Sequence, residues 1–494
     1  MRESLRRNKG NFIILLLIAG IVSIPLMTDY VIMGNSTASS LARIENISVN
    51  CGKVFPVRVG ALGDSPYGYS TSAFQADIFY GIPVLFRLIG MSLGNAFKLT
   101  LFLFNILTTF TAFFCFRKCL GNHGLGLAAA MLYTWCPYRI TSLYTAGNLS
   151  EVFAWTFIPI VILGLWELYG EQDLTLTTDH SDKNKGWITL TWGFSLIALS
   201  STVFLFVTAA LSALLFLIMW RKSFQKKILI EIAKTIAGVV CINAWFLIPM
   251  LLRMRDPEAV GVMIAKDIRG LGMFFTQYLT VFNFAGNNAS IWAGGMCDAP
   301  AYEPGAAVTL LVFVCLYLMF TGAERPQDTA ESGKIKSGVR FTTAIFWAGI
   351  VFMILSTNTF PWDLFQDRNM LFSIILAMME SPARWGIAAD ICLLLTAFHT
   401  ISRLGTLYGE KVRSWALLAT TAVSFGTTQF LLGHILTGCG IAREQEIEAF
   451  GNIELPVIYG ESILWRLCEI VSLISVLLCM AVWLMGRRKR VKKV

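Results

Sequence analysis

Arg139, Asn148 and Glu151 share one short stretch, from Leu132 to Pro159: LYTWCPYRITSLYTAGNLSEVFAWTFIP. A guanidinium and a carboxylate on opposite sides of a short loop at a membrane surface can capture a charged head group. The same residue types also fit solvated loop charges, or an ion pair with each other. Pro137 and Gly147 break any helix between them. Apolar runs enter and leave the stretch, Gly124–Trp135 before it and Val152–Leu168 after it. Each can cross a bilayer once flanking residues are added.

The elements that would position these residues follow from composition. The chain has 494 residues, 55% hydrophobic and 14% charged, with a mean hydropathy of +0.63. A soluble domain carries about 25% charge. Apolar runs recur from end to end, which describes a polytopic membrane protein. The net charge of +9 is no nucleic-acid signal. It gathers beside apolar runs, in RRNK near the start and RRKRVKK at the end, as the positive-inside rule and attraction to anionic lipid require. The four histidines form no HExxH or similar set, and the eleven cysteines show no metal spacing. Cys51, Cys297 and Cys439 fall in expected external loops, where pairing stays open.

Taken in order, the chain is expected to make about twelve spans with both termini cytoplasmic, in the plasma membrane. The first span covers Asn11–Met33. An external segment, 34–94, follows. Within it STASSLARIENIS places Leu41, Ile44 and Ile47 on one side of a surface helix. Asp77–Ile89 reads as an interfacial helix, apolar but short. The stretch 137–151 is the second external loop. Ile228–Leu252 is read as one span, and further external loops cover 253–305 and 358–385. The chain divides into an N-terminal core, 1–170, and a C-terminal set of spans, 171–494. Asp390 and Glu469 lie within expected spans, where a carboxylate is costly. They fit a polar cavity or a cation partner such as Arg466.

The long first loop, its surface helix and the acidic second loop resemble the GT-C superfamily. The closer similarity is to bacterial membrane proteins labelled YfhO-like or 6-pyruvoyl-tetrahydropterin-synthase-related. It rests on ARIE (Ala42–Glu45), FPVR (Phe55–Arg58), PYGYS and ADIFYGIPVLFRLIG up to Gly90, the stretch around Glu151, and ESPARW (Glu380–Trp385). The first 170 residues or so carry it; the rest matches only in architecture. The pterin label implies no pterin chemistry, since that needs a zinc-binding histidine set.

The resemblance implies an all-α membrane glycosyltransferase that takes a sugar from a polyprenyl-phosphate carrier to a cell-envelope acceptor on the external face. Its partners are membrane lipid and the lipid-linked sugar. An acidic residue of the first loop acts there as base or metal ligand, so a divalent cation is the one cofactor it suggests. Relatives carry His-Asp just before the surface helix; this chain has Asn35 and Ser36. Serine without a partner base cannot replace a carboxylate as proton acceptor. Asp29 or Asp77 supplies the acid instead, or the site has changed or lost its chemistry. Glu151 stands at the second-loop acidic position. Arg58, Arg139 and Arg384 are the candidates for the carrier phosphate; the alternative for each is anchoring at the membrane surface, and for Asp77 a helix cap. A transporter or flippase, and a non-catalytic scaffold, are the competing classes.

Overall fold

A run of apolar residues becomes a helix in lipid because every backbone N–H and C=O must then find a partner within its own segment. The computed structural model describes residues 2–51, 75–169, 186–253, 275, 278, 304–321, 332–362, 364, 379, 381–448 and 463–491. In order, the helices are α1 (Arg2–Val22), α2 (Thr37–Asn50), α3 (Gly81–Leu88), α4 (Leu93–Leu120), α5 (His123–Thr134), α6 (Pro137–Thr141), α7 (Leu149–Tyr169), α8 (Gly186–Ala198) and α9 (Thr202–Ile218). Then come α10 (Trp220–Ser223), α11 (Lys226–Ile242), α12 (Ala244–Arg253), α13 (Ala306–Phe320), α14 (Ser332–Ser356), α15 (Gly386–Tyr408), α16 (Glu410–Gly438), α17 (Glu444–Glu448) and α18 (Ile463–Val491). Two short strands, β1 (Val31–Met33) and β2 (Gly440–Ala442), pair antiparallel with Ile32 opposite Ile441.

This is an all-α polytopic membrane protein. Among the described residues five helices are long and apolar enough to cross a bilayer, or six with one broken pair. Six further apolar helices are shorter, at 10–17 residues. The loops expected at 253–305 and 358–385 lie largely outside the described residues, as do 52–74 of the first loop and 170–185.

Two expected spans are corrected. The first helix ends at Val22, well short of Met33. Pro25 lies just beyond, in a 3-10 turn, and residues 31–33 become a strand instead. Ile228–Leu252 is two helices, α11 and α12, bent by 81°. Asn243 makes the break: its side chain donates to the Val239 carbonyl at 2.7 Å, and its own carbonyl starts the next helix by accepting from Leu247 N–H at 2.8 Å. The exposed N–H of Trp245 is met from another helix, by Ser472 Oγ at 3.0 Å.

The core centres on α4, α7, α8 and α15. Between α7 and α8 the backbones approach because glycine faces the partner on each side. A Cβ on Gly164 would lie 2.6 Å from Leu190 Cγ, and one on Gly193 2.8 Å from Val161 Cγ2. Small residues at such contacts let dispersion forces hold helices together where lipid supplies no hydrophobic drive. Trp155, fully buried, stacks on Tyr133 with ring centres 5.0 Å apart, and Tyr133 O–H donates to the Trp155 carbonyl at 2.5 Å.

Candidate functional site

The helix broken by Pro137 does not resume cleanly. After α6 the chain makes a π turn, Ser142–Ala146, closed by Gly147 in the left-handed conformation at φ 63°. Such turns displace carbonyls from the helical ladder and recur at functional sites. Here two displaced carbonyls bind the start of the first loop: Asn35 N–H donates to Thr145 O at 3.1 Å and Ser36 N–H to Ala146 O at 2.7 Å. The fit requires glycine on both sides. A Cβ at Gly34 would lie 2.3 Å from Thr145 O, and one at Gly147 1.8 Å from Thr37 Oγ1.

Asn148 then caps α7, its Oδ1 accepting from Ser150 N–H at 3.1 Å. Glu151 follows in the first turn, where the helix dipole favours a carboxylate. It is buried, 4% exposed. Tyr138 O–H and Ser142 O–H both donate to Oε2 at 2.9 Å. Asn148 Nδ2 donates to Oε1 at 3.3 Å, and Arg384 Nη2 lies 3.5 Å from that oxygen. The Arg384 side chain is 15% exposed and Glu151's 5%. Arg384 comes from a 3-10 turn, Pro382–Trp385, fixed at its start by Ser381 Oγ accepting from Ala383 N–H at 3.1 Å. Glu151 is therefore neither a solvated loop charge nor the partner of Arg139.

A second layer adjoins through Ser150. Its hydroxyl donates to Gln75 Oε1 at 3.3 Å, and Arg43 Nη1 donates to the same oxygen at 2.8 Å. Arg43 also forms an ion pair with Asp77 and lies over the Tyr80 ring, 4.7 Å from its centre. Burial pushes the Asp77 carboxyl above its ordinary range, and Arg43 draws it part of the way back. Asp77 occupies the cap position of a 3-10 turn but makes no capping bond; Arg43 takes its carboxylate. On the other side of α2, Arg87 Nε donates to Glu45 Oε2 at 2.8 Å. Three carboxylates thus each face an arginine: Glu45 with Arg87, Asp77 with Arg43, Glu151 with Arg384.

Arg139 does not join them. It is 1% exposed and donates to Asn105 Oδ1 at 2.6 Å, Thr134 O at 3.2 Å and Thr108 Oγ1 at 3.4 Å. Asn105 bonds onward to Ser23, and Thr108 to Thr156. Arg139 ties α1, α4, α5 and α7 together inside the protein; among the described residues no carboxylate pairs with it. Asp29 is exposed in the bend before β1. Arg58 lies outside the described residues. Asp390 is fully buried in α15, and Glu469 lies 3.8 Å from Arg466 on the same helix.

Arg43, Glu45, Gln75, Arg87, Tyr138 and Ser142 were not singled out as site residues, although ARIE contains two of them. The signal was present in the spacing. Arg43 and Glu45 flank the stripe of Leu41, Ile44 and Ile47 on its two sides. Asn148-Leu-Ser-Glu also has the cap-x-x-acid spacing of a helix start.

No protein-family model matches the chain, and no curated protein matches its sequence. Solved structures do. The apo oligosaccharyltransferase of Archaeoglobus fulgidus aligns at 13% identity and a TM-score of 0.50, over 87% of this chain and 56% of that one. The arabinofuranosyltransferase AftD from Mycobacteria aligns at 13% and 0.43, over 84% and 27%. ArnT from Cupriavidus metallidurans aligns at 11% and 0.39, over 81% and 79%. This chain spans about half the length of the archaeal enzyme and about a quarter of AftD. The likeness to the archaeal oligosaccharyltransferase is one of fold.

Proposed function

We propose that the protein is a GT-C-type glycosyltransferase working at the face of the membrane where 34–94 and 137–151 meet, with a polyprenyl-phosphate-linked sugar as donor and a cell-envelope hydroxyl as acceptor. The observation that carries this reading is the buried Glu151–Arg384 pair, which joins the first turn of α7 to the 3-10 turn that leads into α15. An acceptor oxygen attacks the anomeric carbon, and the bond from that carbon to the phosphate oxygen breaks. The acceptor proton passes to Glu151, and polyprenyl phosphate leaves as an anion beside Arg384. Glu151 Oε1 is the side open to exchange. Its contacts with Asn148 and Arg384, at 3.3 and 3.5 Å, are longer than the two hydroxyl contacts to Oε2, so an acceptor hydroxyl displaces Asn148 most readily. Arg58 is a second phosphate ligand in this reading, and Arg139 a structural residue. The proposed step calls on no cation at Glu151, whose carboxylate already faces the Arg384 guanidinium. The narrower YfhO-like relationship belongs to this proposal too, on the order and spacing of its motifs.

A second reading, a GT-C fold without catalysis, is favoured by one feature. The position where relatives hold His-Asp carries Asn35 and Ser36, whose N–H groups are bonded to the second loop. Sugar transfer from a labelled polyprenyl-phosphate donor in proteoliposomes separates the two. Glu151→Gln is expected to lower transfer by about 10²–10⁴-fold, with Ser36→Ala close to unchanged. Transfer that survives Glu151→Gln removes the site. Binding of the carrier without transfer from any donor selects the non-catalytic reading.

A further inference from the structure

At the opposite end of α7 from Glu151, the helices α9 and α11 are linked through α10 and enclose a groove of about 700 Å³. Its floor includes Leu165 of α7 with Leu190 and Phe194 of α8. Leu217, Ile236 and Val240 form its outer lips, at 64, 59 and 47% exposed. The lining is apolar, and its hydroxyls are already committed: Ser212 donates to Thr208 O at 2.8 Å and Thr235 to Glu231 O at 2.9 Å. Such a surface offers hydrocarbon contact and nothing else. Along α9 the lining runs from Leu205 to Leu217, about 18 Å at helical rise, against about 15 Å for one leaflet of a bilayer's hydrocarbon core.

The groove has one charged end. Beyond Leu217 come Arg221 and Lys222 on α10, then Lys226 and Lys227 at the start of α11. Lys234 stands one side of this end and Glu231, 8% exposed, is the acid set among them. Trp220, 57% exposed, marks the depth where an indole prefers the head-group boundary. Apolar length matched to one leaflet, with cations and an interfacial tryptophan at one end only, is the complement of an anionic phospholipid.

We infer that the groove between α9 and α11 holds a single anionic diacyl phospholipid of the leaflet facing the basic helix ends, its chain along Leu205–Leu217 and its phosphate at Arg221, Lys222, Lys226 and Lys227. The occupant is a bilayer phospholipid and not the sugar carrier, because the groove lies about 20 Å from Glu151 along α7. The inference stands whether or not the protein transfers sugar.

The test uses the full chain in phosphatidylcholine nanodiscs doped with phosphatidylglycerol carrying a photoreactive acyl chain. A phosphatidylcholine probe with the same chain serves as reference, and labelled peptides are mapped by mass spectrometry. Phosphatidylglycerol is expected to label Leu205–Leu217 and Ile232–Val240 at least about fivefold more than the reference, the factor one basic residue supplies near an anionic surface. Changing Arg221, Lys222, Lys226 and Lys227 together to Gln should bring it down to the reference level. Ala213→Trp, which fills the groove, should remove labelling by both probes from these segments. Equal labelling by the two probes in the unmodified protein would overturn the inference, leaving only bulk lipid. So would displacement of the phosphatidylglycerol probe by equimolar polyprenyl phosphate.

Discussion

Helices α7 and α18 have similar hydropathy and opposite surroundings. The apolar window of α7 has a mean hydropathy of 1.8 and is 83% buried within the protein; that of α18 reaches 2.4 and is 11% buried. In water the more apolar helix would be the more enclosed. In a bilayer the order reverses, because lipid tails satisfy leucine as well as another helix does. What draws α7 inward is its polar content. Glu151, Ser150 and Thr156 need partners that lipid cannot supply, and Tyr138, Gln75 and Thr108 supply them. Polarity, more than apolarity, marks the inside of this protein.

That contrast can be broken by paired substitutions. The largest effect is expected at Trp155, fully buried between Tyr133 and Tyr138: Trp155→Ala should cost about 3–5 kcal/mol. Leu473→Ala on α18, 63% exposed, should cost under about 0.5 kcal/mol. Thermal unfolding in one detergent measures both, and equal losses would end the distinction between the two helices. Next comes glycine. Gly147→Ala meets Thr37 at a left-handed position and should cost about 2–3 kcal/mol. Gly433→Ala on α16, with open space around its Cβ, should be neutral or stabilise by up to about 1 kcal/mol. Smallest is the charge pair. Arg139→Met leaves Asn105 and Thr108 short of a donor and should cost about 1–3 kcal/mol. Arg466→Gln, at a 62% exposed side chain, should stay within about 1 kcal/mol. A rigid Arg466 that proves as costly as Arg139 would show that α18 is enclosed by a partner in the membrane.

Local pattern carried much of the architecture. Leu41, Ile44 and Ile47 fall on one covered face of α2, at 0, 0 and 5% exposed. Helices α8 and α9 join through a short turn at Ser200 and Ser201. Periodicity could not show that the other face of α2 is covered as well, since Gln75 and Arg87 arrive 32 and 42 residues after their partners. Arg139 misled for a related reason. A charge beside a proline looks like a loop residue, and its partner Asn105 sits 34 residues earlier in a helix with nothing local to announce it. The Glu151–Arg384 pair was the least legible, because its two halves are far apart in the sequence and nothing near Glu151 calls for a guanidinium. The break in 228–252 was written in Asn243 but outweighed by the apolar residues on both sides.

The bonding of the first loop to the π turn also sets a clock. Ser40 Oγ donates to Gly147 O at 3.0 Å across 107 residues, so α2 cannot dock until that much more chain has been made. At about 5–20 residues per second this is a wait of roughly 5–20 s. Throughout it Arg43 and Glu45 can find Asp77 and Arg87, which emerge earlier, while the edge next to Gly34 stays unfilled. β1 waits far longer, since its partner Gly440–Ala442 is made about 400 residues later. This face of the protein is therefore closed in two instalments, an early one at residue 147 and a late one at residue 442. A chain stalled between them has a docked first loop and an unpaired strand, the state in which quality-control factors meet it.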